Sequence, residues 1–189
     1  MKYIFVLALL IFIQSCTNNS NPTNSISGEE ILPLNIGNSW TKISTQYDTS
    51  GNVIKSDTVK VLVERDTIIN YARWYISQQY GIVRNDGNGL YQYIDSTPVL
   101  IYKYPSYSTE YRKIIGSTVT TVETNISIST LVGVINCYHY LVTWDSTENY
   151  KFHYYFSPGI GEVLFEGSYL KNNKEILFVR TELVKYKIL

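Results

Sequence analysis

Apolar and polar residues alternate along most of this chain with a period of two, and glycine, asparagine, aspartate and proline break the alternation at short intervals. Between residues 53 and 65, Val59, Val61 and Val63 alternate with Thr58, Lys60 and Glu64, with Leu62 the one exception. A stretch of this kind puts its apolar side chains on one face of a pleated strand. The same reading predicts strands at 40–47, 53–65, 73–80, 82–84, 90–94, 99–104, 117–123, 126–129, 135–144, 151–157, 162–169 and 175–188. Their connectors carry turn chemistry, as in Ser50-Gly51-Asn52, Asn85-Asp86-Gly87-Asn88-Gly89, Asp145-Ser146-Thr147, Pro158-Gly159-Ile160-Gly161 and Lys171-Asn172-Asn173-Lys174. No long i, i+3, i+4, i+7 apolar pattern follows residue 30, so little helix is predicted. The expected fold class is therefore all-β, an antiparallel meander forming a curved sheet, half-barrel, barrel or sandwich. No fixed-period repeat and no linker interrupts residues 29–189, which are read as a single β domain.

The N terminus follows a different pattern. Lys2 precedes an unbroken apolar run at 4–13 and the small residue Ser15, which predicts a signal peptide at 1–15, too short to span a membrane. Ile13-Gln14-Ser15-Cys16 resembles the lipobox of bacterial lipoproteins. That resemblance implies acylation of Cys16 and a membrane partner through the lipid anchor, each buried methylene contributing about 0.8 kcal/mol. The rest of segment 16–28 is polar and of low complexity, the composition of a disordered tether. Thr17 stands where Asp would, by resemblance to the enterobacterial sorting rule, favour the inner membrane. An outer-membrane destination is expected, with the periplasmic face preferred over the cell surface because the tether has no acidic cluster.

Composition narrows the cargo. Apolar residues make up 44% and charged residues 17% of the chain, which suits a folded domain, and its 18 tyrosines favour strands over helices. Sixteen basic residues balance sixteen acidic ones, so no basic stripe is available and no nucleic-acid partner is expected. Once Cys16 is acylated, Cys137 is the only cysteine left, which removes any intramolecular disulfide. No cofactor is expected: the chain has no Gly-x-Ser-x-Gly elbow, phosphate-cradling glycine loop or His-Glu-x-x-His motif.

Two stretches, 32–40 (LPLNIGNSW) and 154–163 (YYFSPGIGEV), together resemble a family of uncharacterised Bacteroidetes-type lipoproteins. The resemblance implies an antiparallel β-fold and brings no catalytic residues. From the residues alone, Pro33 and Gly37 shape the entry to the first strand, Trp40 seats it, and Gly159 and Gly161 let the chain turn sharply around Ile160.

Three groups of side chains are candidates for function. If the turn centres near Thr147, Tyr155 falls opposite His139 and Leu141 opposite His153. Cys137, His139 and His153 then share a face as a candidate metal or nucleophilic site. Glu64, Glu110, Glu123, Glu162 and Glu166 supply carboxylates that could meet in a cleft, the basis of an alternative reading as a small periplasmic hydrolase. The tyrosine rows Tyr91 with Tyr93, Tyr102 with Tyr104 and Tyr138 with Tyr140 could line a concave sheet and bind a hydrophobic or glycan ligand, or an envelope protein. The favoured reading is a non-enzymatic ligand- or partner-binding domain. Separately, five of the six aspartates precede Ser or Thr, as in Asp57-Thr58-Val59; these pairs resemble an O-glycosylation sequon and also suit turns. Metabolic labelling with a palmitate analogue should tag the full chain and leave a Cys16→Ser variant untagged; an unlabelled parent chain would rule out the anchor.

Overall fold

The computed structural model describes residues 30–107, 110–114, 116–144 and 147–189. The expected signal peptide (1–15) and tether (16–28), Cys16 included, lie outside the described residues. Within them the chain forms twelve strands and no helix: β1 (Ser39–Tyr47), β2 (Val53–Ile69), β3 (Ala72–Ser77), β4 (Gly81–Asp86), β5 (Gly89–Ile94), β6 (Thr97–Lys103), β7 (Glu110–Ile114), β8 (Ser117–Thr130), β9 (Gly133–Trp144), β10 (Thr147–Ser157), β11 (Gly161–Lys171) and β12 (Lys174–Lys187). Every neighbouring pair is antiparallel, in the order β6-β5-β4-β3-β2-β1-β12-β11-β10-β9-β8-β7. The chain thus meanders outward to β6, crosses to β7 and meanders back until β12 pairs with β1. The sheet curls into a nearly closed barrel with β6 and β7 at its free edges. Its curl brings Tyr102 of β6 against Tyr140, Tyr154 and Phe156, with ring centroids 5.1, 5.5 and 4.5 Å away.

Two elements differ from the sequence reading. The strands predicted at 117–123 and 126–129 are one strand, β8, whose pairing with β9 slips between Thr121 and Glu123 and again between Glu123 and Ile126. The polar Thr124-Asn125 step that looks like a turn is absorbed as a bulge, which bends the strand without ending it. β7 carries no clear alternation and was not predicted.

Residues 30–38 close one end of the barrel. Ile31, Leu32 and Leu34 are buried there. Gly159 N donates to the Glu30 carbonyl at 2.8 Å, Asn85 Nδ2 to the Leu32 carbonyl at 2.7 Å, and Gly37 N to the Val63 carbonyl at 2.9 Å. Leu189 N donates to Asn38 Oδ1 at 2.9 Å, tying in the C-terminal end. The two sequence motifs meet at this plug, where the buried Trp40 donates its indole N–H to the carbonyl of Ile160. Gly161, at φ +99°, leaves the space that Leu32 and Trp40 fill, since a Cβ there would lie 2.8 Å from Leu32 Cδ1 and 3.3 Å from Trp40 Nε1.

A second feature lies on the outer face. β9 pairs with β10 only from Tyr138 to Trp144, and the five residues before Tyr138 pair with β8 alone. Freed from β10, the β8–β9 hairpin folds across β10 and β11, and its tip donates from Leu131 N to Glu182 Oε1 on β12 at 3.0 Å. Its apolar side chains Ile126, Ile128, Val132 and Ile135 pack onto the core, as does Tyr155.

One close approach gives the fold a sharp test. Gly89 sits at φ +132° where β5 meets β6, and a Cβ there would lie 2.1 Å from the Tyr102 carbonyl oxygen and 2.6 Å from Tyr104 N. Both are backbone atoms that cannot rotate away. Gly89→Ala should cost at least about 2 kcal/mol, read from the urea midpoint of the folded domain; an unchanged midpoint would contradict this packing.

Candidate functional site

From Ser39 to Gln46 β1 pairs with β2 without a slip, so Trp40 and Lys42 point the same way, into the barrel. Lys42 is 2% exposed and its ammonium lies 2.6 Å from Glu162 Oε1, on β11, a residue only 1% exposed. The turn between β3 and β4 completes their coordination. Lys42 Nζ also donates to Gln79 Oε1 at 3.0 Å, Gln79 Nε2 donates to both Glu162 oxygens at 3.2 and 3.0 Å, and the Tyr80 hydroxyl donates to Glu162 Oε2 at 3.0 Å. Burial first, and then the Glu162 charge, hold the Tyr80 phenol well above its ordinary pKa, so it stays a neutral donor. A buried ion pair survives only when its remaining donors and acceptors are bonded, as they are here.

This polar knot lies between two hollows of the barrel interior. One, of about 500 Å³, is walled by Tyr102, Tyr154, Phe165, Ile101 and Val142 with Gln79 and Tyr80 at its polar side. Trp144, 42% exposed, lines its solvent side. The other, of about 340 Å³, contains Lys42 and Glu162 themselves with Val59, Val61 and Thr181. Gln79 and Phe165 line both, so they form the partition. Volumes of roughly 300–1,000 Å³ with apolar walls and a few converging polar groups are those of small-ligand sites.

The opposite face of the same strands carries the histidines. Tyr155 pairs with His139 and Leu141 with His153, the register read from the sequence. His139 Nε2 lies 2.8 Å from His153 Nδ1, and His153 Nε2 lies 3.1 Å from Glu175 Oε1. Ser168 Oγ donates to the same Glu175 oxygen at 2.6 Å and Lys151 Nζ to the other at 3.1 Å. Partial burial opposes ionisation of Glu175, but these hydrogen bonds and the Lys151 charge outweigh it and hold its pKa below the usual carboxylate value. The Tyr155 ring stacks on His139 at 4.4 Å, and burial pushes its phenol up to about 12. Burial, then the neighbouring His153, pushes His139 down to about 4.

The other sequence candidates go to separate places. Cys137 is buried two residues before His139, and burial pushes its thiol up to about 12, which makes it a poor nucleophile. Among the described residues no group of three or more His, Cys, Asp or Glu side chains could hold a metal ion. Glu162 turns inward to Lys42, whereas Glu166, paired with Arg180 at 2.6 Å, and Glu123, facing His139, are on the outer face, so Glu162 shares no cleft with the other two. Tyr102, Tyr104, Tyr138 and Tyr140 come together in the core: Tyr104 meets Tyr138 at 5.2 Å and Tyr138 stacks on Tyr140 at 6.4 Å. Of the six candidate tyrosines, Tyr102 reaches the larger cavity. Tyr91 and Tyr93 point the other way, because Gln92 and Ile94 take the cavity side of β5; they surround Trp74 and Arg84 instead. Sequence reasoning missed Lys42 and Gln79. The signal for Lys42 was its i+2 spacing from Trp40, which assigns both to one face, but a lysine in a strand reads first as solvent-facing.

No protein-family profile matches the chain, and no curated protein matches it. Among solved structures, a "putative lipoprotein" of Parabacteroides distasonis is 16% identical with a TM-score of 0.41, covering 84% of this chain and 99% of its own. A "putative exported protein with YmcC-like fold" of Bacteroides fragilis is 12% identical with a TM-score of 0.45, over the same shares. Likeness at this level assigns neither a family nor an activity. The class defined by the structure is an antiparallel β-barrel-like domain with a charged knot between two interior hollows.

Removing one partner of the ion pair strands the other in a dry interior. Lys42→Met or Glu162→Leu alone should cost about 3–5 kcal/mol in urea unfolding, and the double variant markedly less than the sum. Additive losses would show that the two charges do not depend on each other.

Proposed function

We propose that this protein is an envelope lipoprotein, anchored through acylated Cys16 to the periplasmic face of the outer membrane, whose β domain binds a small apolar or amphiphilic molecule in the barrel interior. The observation that carries the ligand reading is the cavity of about 500 Å³ walled by Tyr102, Tyr154, Phe165 and Ile101. Glycan recognition would demand unengaged polar groups along the wall. Here Lys42, Glu162, Gln79 and the Tyr80 hydroxyl bond one another, which favours a mainly hydrophobic guest. The anchor rests on the lipobox-like residues 13–16 and the tether that follows them. Fixed at a membrane surface, the cavity would exchange apolar molecules with the lipid phase or with the periplasm.

The test is binding of an uncharged apolar fluorophore, N-phenyl-1-naphthylamine, to the purified full chain. Saturable binding is expected, weakened at least about tenfold, or about 1.4 kcal/mol, by Ile101→Trp, which fills the cavity. Equal binding by both chains, or no binding at all, would overturn this reading.

A further inference from the structure

Apart from the cavity, the outer face carries a hinge with a proton acceptor at its pivot. β9 leaves the sheet at Tyr138, and the hairpin beyond it lies over the outer face, held at its tip by Leu131 N on Glu182 Oε1. The strand partner of His139 is Glu123, which stands between the two slips of β8 where the hairpin bends. His139 is thus at the fulcrum, 8% exposed.

The hydrogen-bond chain fixes where protons sit on this pair. With both rings neutral and His153 Nε2 donating to the Glu175 carboxylate, His153 Nδ1 is the acceptor and His139 donates to it from Nε2. That leaves His139 Nδ1 as a bare lone pair. It is buried with no hydrogen-bond partner, and Glu123 Oε2 is 3.8 Å away, outside hydrogen-bond reach. The charged and titratable groups around the pair are Glu123 on β8, Lys151, His153 and Tyr155 on β10, Glu166 on β11, and Glu175 and Arg180 on β12. Lys151 is engaged with Glu175 and Arg180 with Glu166, so neither cation is free to shift towards the ring. A proton arriving at Nδ1 would create a charge beneath the hairpin, sandwiched against the Tyr155 ring. Lifting the hairpin would put that charge into water beside Glu123, which is already exposed.

We propose that the β8–β9 hairpin is an acid-released flap: proton uptake at His139 Nδ1 favours its lifted form, which uncovers Cys137 and the apolar strip of Tyr155 and Leu164. As pH falls, whichever form binds the proton more tightly gains population. In the closed form burial is the main cause that depresses His139 from its ordinary 6.5 to about 4, so the closed form is the weaker binder. Above pH 6.5 the ring is neutral in both forms and the flap stays shut; its stability is lost as pH falls from there towards 4. In the closed form Leu164 is 4% exposed and Cys137 1% exposed.

Cys137 reports the motion directly. In the full chain with Cys16→Ser it is the sole cysteine. Its modification by 4,4′-dithiodipyridine, which reacts at acid pH, is measured from pH 7 to pH 4.5 relative to the same chain unfolded in urea. The relative rate should rise by about tenfold or more over that range, while circular dichroism stays that of the folded protein. His139→Gln should make the profile flat, and Leu131→Pro, which removes the tip donor, should raise the rate already at pH 7. If His139→Gln does not fold, imidazole NMR of the parent chain decides the matter: His139 must titrate with the midpoint of the labelling rise. A flat parent profile, an unchanged rise in His139→Gln, a rise that coincides with unfolding, or a different NMR midpoint would each overturn the proposal.

Discussion

A lysine and a glutamate bonded at 2.6 Å inside a wall of tyrosine and phenylalanine constrain the rest of this barrel. Neither charge tolerates a dry interior alone, so the strands that carry them must close around both at once. Lys42 is on the first strand and Glu162 on the eleventh, and β12 lies between them in the sheet. Gln79 and Tyr80 bring the β3–β4 turn onto the same two groups from across the barrel. The knot therefore ties three distant parts of the meander at one point. It also supplies the polar side of the cavity, and its internal satisfaction leaves the remaining wall to rings and aliphatic side chains.

The barrel ends are treated differently. Residues 30–38 fill one end, and the two motifs that stand out in the sequence, LPLNIGNSW and YYFSPGIGEV, meet there. Their glycines and prolines serve that junction, through the turn around Ile160 and the space Gly161 leaves for Leu32 and Trp40. The exposed Trp144 marks the opposite, wetter side. The hairpin folded over the outer face is a third arrangement, in which a β-ribbon buries apolar side chains on a surface already paired as sheet. It is held there by packing and by one backbone donor at its tip, which is why a single charge at its base can matter.

Much of the fold is legible along the chain. Alternation and turn residues locate eleven of the twelve strands, because each strand must show one face to the core and each hairpin needs backbone angles that few residues favour. The His139–His153 neighbourhood is legible too, since the two lie on adjacent strands of one hairpin, although β10 reaches that register only after a slip between Thr147 and Lys151. The exception is β7, a short edge strand without alternation.

What the sequence determines by itself is local: strand periods, turn positions, and the N-terminal pattern that ends at Cys16. What only the tertiary structure decides depends on contacts between residues far apart in the chain. The pairing of β12 with β1 puts Lys42 within reach of Glu162, 120 positions away. The bulges of β8 send its hairpin over the sheet when the same residues could have formed two shorter strands. The curl of the sheet separates Tyr102, on the cavity, from Tyr91 and Tyr93, which alternation alone could not tell apart. Periodicity says which side chains share a face, but which face becomes the inside is set by closure of the whole sheet.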